Sequence, residues 1–322
     1  MKRARAWGFA GLGLALAACG ASDSGDDEPG STAAGSTASQ TPGAGGTSEN
    51  EQGMTEQVIP TSSSAGYVWR FGDLELVVDP RLGGRVLSYS LLGQNVLAGP
   101  EVVQAGDLVM QNNFGSTLWT SPQSDWGWPP EVGVDSAAYQ DSVAADVLTL
   151  DGRPGEKMGY AVTKRIWADT ARRRVSFDYR LSNVSATRPA APWEVSRVAR
   201  RGLVFFPAAS GPLEPSTLGS ELVDDVAWID VDRLAPGDGK LFQDGAEGWL
   251  AYADGDLVLI KTFENVARSE QAPGESEIEI YVSGEYGYIE LEQQGPLALP
   301  APGAPSSWRV DWYLRRRPAE ID

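Results

Sequence analysis

The sequence predicts an all-β protein, a large antiparallel β-sandwich set behind a disordered N-terminal tether. Three observations carry this. From Tyr67 onward the chain breaks into short runs of alternating apolar and polar residues, divided by turns rich in Gly, Pro and Asn; such alternation fits strands with one buried face. No window holds a convincing long apolar period of 3.6 residues, which argues against long amphipathic helices. The stretch from residue 66 to residue 322 is a normal length for one large sandwich domain.

The chain opens with Lys2, Arg3 and Arg5, an apolar run from 6 to 18, and Leu16-Ala17-Ala18-Cys19. A basic head, a short apolar run and small residues ahead of a cleavage point make a secretory leader, too short to stay in a bilayer. Residues 1 to 18 are therefore read as a signal peptide. The tetrapeptide resembles the bacterial lipobox, which implies cleavage before Cys19 and lipid on Cys19. The expected location is the bacterial cell envelope, with a membrane held through the lipid; Gly20, by resemblance to lipoprotein sorting signals, favours the outer membrane over the inner one. Residues 19 to 65 are mostly Gly, Ser, Thr, Ala and acids and cannot form a core. As a flexible coil this tether would span roughly 40 Å.

The predicted strands follow in order: 73–80 and 85–92 around Gly83-Gly84, then 160–168, 172–184, 202–207, 248–253, 256–263, 277–284, 286–294 and 307–317. Together they form the domain of residues 66 to 322.

Composition excludes more chemistry than any motif suggests. The chain has 26 Lys and Arg against 44 Asp and Glu, a formal charge of −18. Without the leader's three bases and the tether's seven acids, 23 bases and 37 acids remain, so the folded part is acidic and no nucleic acid is expected as a partner. There is no histidine, hence no Ser-His-Asp triad, no Cys-His dyad and no histidine-bound zinc. Cys19 is the only cysteine, so no intrachain disulfide or Cys-rich metal site forms. Asp230 and Asp232 lack the spacing of a calcium loop, no Lys follows a Ser by three positions, and the leader's Gly-x-Gly is only leader composition. Neither a metal nor a cofactor is expected. Asn183-Val-Ser185 matches a glycosylation acceptor, which carries little weight behind a bacterial lipobox.

Two segments carry the candidate site. "STLWTSPQSDWGWPPE" (116 to 131) holds Trp119, Trp126 and Trp128 in a run broken by Pro122, Pro129 and Pro130. Its prolines predict a loop rather than a central strand. Proteins that bind sugars pair flat aromatic plates with planar hydrogen-bonding groups; here Asn112, Asn113, Gln123 and Asp125 are the candidate rim. "YGYIELEQQ" (286 to 294) places Tyr286, Tyr288, Glu290, Glu292 and Gln294 on one face by period two. Crowded carboxylates can have a raised pKa and act as acid or base, so Glu290 and Glu292 are the candidate catalytic pair; a solvated acidic face is the alternative. "APWEVSRV" (191 to 198) adds Trp193, Glu194 and Arg197, either lining the same cleft or forming core with paired surface charges.

Taken together, "GGRVLSYSLLGQNVL" (83 to 97), "LWTSPQSDWGWPP" (118 to 130), "APWEVSRV" and "YIELEQQGP" followed by "PGAPSSWRVDWYL" (288 to 314) resemble an uncharacterised bacterial group that is similar to the galactose-mutarotase-like (aldose 1-epimerase-like) β-supersandwiches. That resemblance implies a late-strand glutamate base at Glu290 or Glu292 and a ligand-binding arginine at Arg85. It also implies a histidine acid with no counterpart here. Losing one member of such an acid–base pair removes about 10²- to 10⁴-fold of rate. The expected function is therefore a noncatalytic, lipid-anchored carbohydrate-binding protein. Its site would combine Arg85, Asn113, Trp119, Gln123, Trp126, Trp128, Trp193, Glu194, Arg197 and Tyr288. A histidine-free epimerase or lyase-like enzyme and an envelope protein-interaction module are the alternatives.

Overall fold

Alternation in the sequence becomes two antiparallel sheets. The computed structural model describes residues 57–103 and 110–318; the leader, Cys19 and most of the tether lie outside the described residues. The first sheet uses β1 (Thr61–Ser63), β2 (Gly66–Phe71), β3 (Leu74–Asp79), β4 (Arg85–Leu91), β5 (Gln94–Asn95), β6 (Ser116–Ser121), β11 (Ala191–Ala199), β15 (Gly239–Gln243), β18 (Ile278–Val282) and β19 (Tyr288–Gln294). The second uses β7 (Gln140–Ala144), β8 (Val147–Asp151), β9 (Tyr160–Asp169), β10 (Arg174–Asn183), β12 (Leu203–Pro207), β13 (Glu221–Val223), β14 (Val226–Asp230), β16 (Trp249–Asp254), β17 (Leu257–Phe263) and β20 (Pro305–Arg316). The first runs β1-β2-β3-β4-β6-β11-β19-β18-β15, with β5 on β4; the second runs β13-β14-β12-β16-β17-β20-β10-β9-β8-β7. Regular structure begins before residue 66, since β1 pairs with β2 through Thr61, Ser62 and Ser63.

The core lies between the sheets. Trp308, Val310, Trp312 and Leu314 alternate along β20, and Val175, Phe177, Tyr179 and Leu181 along β10, all buried. Ile289 and Leu291 of β19 meet this layer from the first sheet. Burial of this kind supplies most of the folding drive, about 25 cal/mol per Å² of apolar surface removed from water.

One part of the reading is overturned. Residues 116–121 are not loop: β6 lies in the interior of its sheet, between β4 and β11. The physical reason is position, because Pro122 is the first residue after the strand and leaves all six ladder amides in place. Only the segment after Pro122 is a loop. It ends in a four-residue helix, α1 (Val132–Asp135).

Gly83 and Gly84 set the geometry on the other flank of β6. Both have positive φ, 63° and 57°, and a Cβ on Gly83 would stand 1.8 Å from the Asp135 carbonyl oxygen. Only glycine lets the backbone of α1 approach this closely. The approach places Asp135 against Arg85 at the start of β4.

Candidate functional site

Successive residues of a strand point to opposite faces, and β11 divides two chemistries. Glu194 and Ser196 face the second sheet. Glu194 accepts from Lys261 Nζ (2.9 Å), Trp312 Nε1 (3.0 Å), Tyr179 Oη (2.5 Å) and Gln293 Nε2. It is core, so it does not belong with the ligand-facing residues: its place in the alternation carries it to the inner face.

Trp193, Val195 and Arg197 point the other way. Register assembles a floor around them on the outer face of the first sheet. Trp193 lies opposite Trp119 and Val195 opposite Thr117 on β6; on the other side Trp193, Val195 and Arg197 lie opposite Gln294, Glu292 and Glu290 of β19. Glu292 and Glu290 in turn lie opposite Glu279 and Tyr281 of β18, which face Phe242 and Lys240 of β15. Trp119, Trp193, Arg197, Tyr288, Glu290 and Glu292, drawn from three segments of the sequence, thus share one surface.

Charges on this floor are paired. Arg197 holds Glu290 Oε1 at 2.8 and 2.9 Å, with its guanidinium 5.1 Å from the centre of the Trp119 ring. Lys240 sits between Glu279 at 2.9 Å and Glu292 at 2.5 Å, 5.5 Å from the Trp193 ring and 5.6 Å from Phe242. Arg85 donates to Asp135 Oδ1 at 2.9 Å and to the Phe114 carbonyl at 3.0 Å, and Trp119 Nε1 donates to the same Asp135 oxygen at 2.8 Å. Burial pushes the carboxyls of Glu279 and Glu292 up to about 8, against the opposing pull of Lys240. Their proximity lets the pair hold a proton near neutrality.

Aromatic rings form the wall. Trp119 meets Trp126, Trp128 and Trp193 edge to face at 5.5 to 5.9 Å, a favoured packing for indoles. The expectation of three exposed plates is corrected: Trp119 is 3% and Trp126 4% exposed, and only Trp128, at 42%, stays open. The loop folds back because its polar groups find partners inward. Trp126 Nε1 donates to the Thr120 carbonyl at 2.7 Å, Lys157 donates to the Trp126 carbonyl, and the Gln123 amide donates to Glu275 at 2.8 Å. Gln123 meets the site through its backbone, Asp125 is bound by Arg188 at the surface, and Asn113 donates to the Tyr288 hydroxyl at 3.2 Å from the third side of the cover. Glu290 and Glu292 are 7% and 0% exposed, so the floor is neither an open bowl nor a solvated face.

Several buried atoms of this surface make no hydrogen bond within the protein: Trp193 Nε1, Thr117 Oγ1, Arg197 Nη1, Glu292 Oε2 and Gln294 Oε1. Buried polar atoms are nearly always satisfied, so a group of them on one face calls for an explanation.

Solved structures with the same architecture have little sequence in common with this chain. The Slr1438 protein of Synechocystis sp. PCC 6803 matches with a TM-score of 0.54 at 14% identity, covering 82% of this chain and 98% of its own. A galactose mutarotase-like protein from Clostridium acetobutylicum gives 0.54 at 8%, covering 78% and 95%. A protein from Escherichia coli K12, provisionally described as an aldose 1-epimerase, gives 0.51 at 14%, covering 78% and 98%. The fold is galactose-mutarotase-like. No protein-family model and no curated protein matches the sequence.

On this mutarotase-like frame the two glutamates singled out in the sequence are held by cations, Glu290 by Arg197 and Glu292 by Lys240. Lys240, Glu275, Glu279 and Asp135 escaped sequence reasoning. The "EIEIYV" alternation put Glu279 on a polar strand face, but only register assigns that face to Glu292. Lys240 sits in a five-residue strand too short to stand out.

Proposed function

We propose that this protein binds carbohydrate, without converting it, on the outer face of its first sheet, and that it does so at the bacterial cell envelope, tethered by lipid on Cys19. One observation carries the binding reading: unpartnered polar atoms, both donors and acceptors, lie buried beside indole rings on one sheet face. Sugars offer hydroxyls to such atoms and C–H faces to such rings. The fold is in keeping with a carbohydrate-related role, though a fold alone hosts several functions. The most exposed edge of this face is at β15 and β18, where Lys240, Phe242, Tyr281 and Glu275 are partly exposed, and Trp128 is the one open indole of the wall.

The noncatalytic part rests on protons. Converting a sugar ring needs a base and a separate acid aimed at the ring oxygen; the chain has no histidine to serve as that acid, and Glu290 is held in an ion pair by Arg197.

The test is glycan-array and calorimetric binding by residues 19–322, compared with Arg197→Lys, which keeps the charge and loses the planar fork. Specific binding that weakens at least tenfold in the variant, with no anomerisation above background, is the expected result. No glycan bound by the wild type refutes the binding reading, and anomerisation abolished by Glu290→Gln refutes the noncatalytic one. The anchor is checked by labelling with radioactive fatty acid, which Cys19→Ala should abolish.

A further inference from the structure

The charge arrangement of the floor bears on which sugar fits, an inference that rests on the carbohydrate reading above. Every cation there is already committed: Arg85 to Asp135, Arg197 to Glu290, and Lys240 to both Glu279 and Glu292. The acids are not all matched. The single ammonium of Lys240 contacts two carboxyls, Glu279 and Glu292 from adjacent strands, and a third, Glu275 from the segment that receives the Gln123 backbone amide, is near enough to feel its charge. Glu275 and Glu279 lie close enough to interact directly, and burial raises both.

Two further atoms point at a ligand rather than a structural role. Glu292 Oε2 and Gln294 Oε1 are acceptors two residues apart on the same face of β19, both buried, and neither receives a hydrogen bond within the protein. Beside them lie the faces of Trp193 and Phe242, already near one ammonium, a combination that suits a second. The side chain of Lys240 is 24% exposed, so this is where the cover over the floor is thin.

We propose that the ligand is an amino sugar with a free, protonated amine, which docks beside Lys240 and donates to Glu292 Oε2 and Gln294 Oε1 while its ring lies against Trp193. An acidic sugar does not fit. A uronate or sulfate would find no cation without an acid already beside it and would lie against Glu275, Glu279, Glu290 and Glu292, a crowding of acids that disfavours a further anion. Other groups facing the amine are Arg197 from β11, Tyr288 from β19 and Tyr281 from β18. The tyrosines stay neutral because burial raises both.

Proton balance gives the proposal a signature. At about pH 6 a sugar amine is charged, and the Glu279–Glu292 pair holds a proton. The arriving ammonium replaces that proton, which passes to the buffer.

The experiment uses residues 19–322 and three oligosaccharides of equal length: a free-amine glucosamine oligomer, its N-acetylated form, and a uronic acid oligomer. Calorimetry at about pH 6 is run in two buffers of different ionisation heat. The free amine should bind at least tenfold tighter than the N-acetyl form and release a proton that the N-acetyl form does not; the uronate should not bind. In Glu292→Gln, and in the less buried Glu275→Gln should the first fail to fold, the preference for the amine should fall towards unity. If the N-acetyl or uronic form binds as tightly as the amine, the amino-sugar inference fails and the carbohydrate reading stands. If none of the three binds and no other glycan does, both fail.

Discussion

The two faces of β11 carry buried charges under different rules. On the inner face Glu194 accepts from Lys261, Trp312, Tyr179 and Gln293. Lys261 also donates to Ser196, whose hydroxyl bonds Ser116. Apart from Gln293 Oε1, this network uses what it has. On the outer face, one residue along, Arg197 leaves Nη1 unused, Trp193 leaves its indole N–H unused, and Glu292 and Gln294 each leave an oxygen unused. Both faces cost desolvation energy. Only the first returns it within the protein, so the inner network reads as architecture and the outer one as a surface whose polar groups await a partner.

Four experiments break or sharpen this contrast. The largest effect is expected for Glu194→Ala, which strands the Lys261 ammonium in the core. A loss of about 3–5 kcal/mol of folding stability should follow, read from urea unfolding, while any glycan affinity of the folded fraction stays the same. Equal losses of stability and affinity would dissolve the distinction between the faces.

Trp126→Ala comes next. It removes a buried indole packed on Trp119 and Trp193 and should cost about 3 kcal/mol or more. A destabilisation under 1 kcal/mol would show that the loop does not seal the wall.

The pH dependence is smaller and has a definite sign. Burial raises Glu279 and Glu292 from an ordinary 4.5 to about 8 in the folded protein. The native state therefore keeps protons that the unfolded chain has released, and stability present below about 4.5 is lost progressively as pH rises towards 8. Urea midpoints between those limits should decline with pH, and the decline should shrink in Glu279→Gln. A rising profile would mean that both carboxylates are ionised in their pairs with Lys240.

Trp128→Ala should be mildest for the fold and informative for the site. This indole is half-open and among the described residues its ring pairs with Trp119 alone, so stability should change by less than about 1 kcal/mol. Glycan affinity should fall several-fold; unchanged affinity would remove Trp128 from the path of the ligand.

Much of this was legible in the sequence because period two is a local signal. The alternation in "YIELEQQ" gives the correct common face for Tyr288, Glu290, Glu292 and Gln294, whereas "APWEVSRV" does not stand out as a strand and leaves open whether Trp193 meets the core or a cleft. Glu194 was assigned to the ligand side because a single strand in isolation has no inside. The tryptophan stretch misled differently. Three prolines suggested a loop throughout, yet Trp119 precedes all of them and stays in the ladder. Lys240 and Glu279 were out of reach because their pairing with Glu292 comes from strand order, β15-β18-β19, a long-range choice that no local window contains.

A sugar on the outer face of the first sheet would complete its unused hydrogen bonds. A crystal structure of residues 19–322 with a bound oligosaccharide tests this most directly. Sugar hydroxyls or an amine should lie within hydrogen-bond distance of Arg197 Nη1, Trp193 Nε1 and Glu292 Oε2, with a ring face on an indole. A sugar bound elsewhere, with those atoms still unpartnered, would contradict this placement.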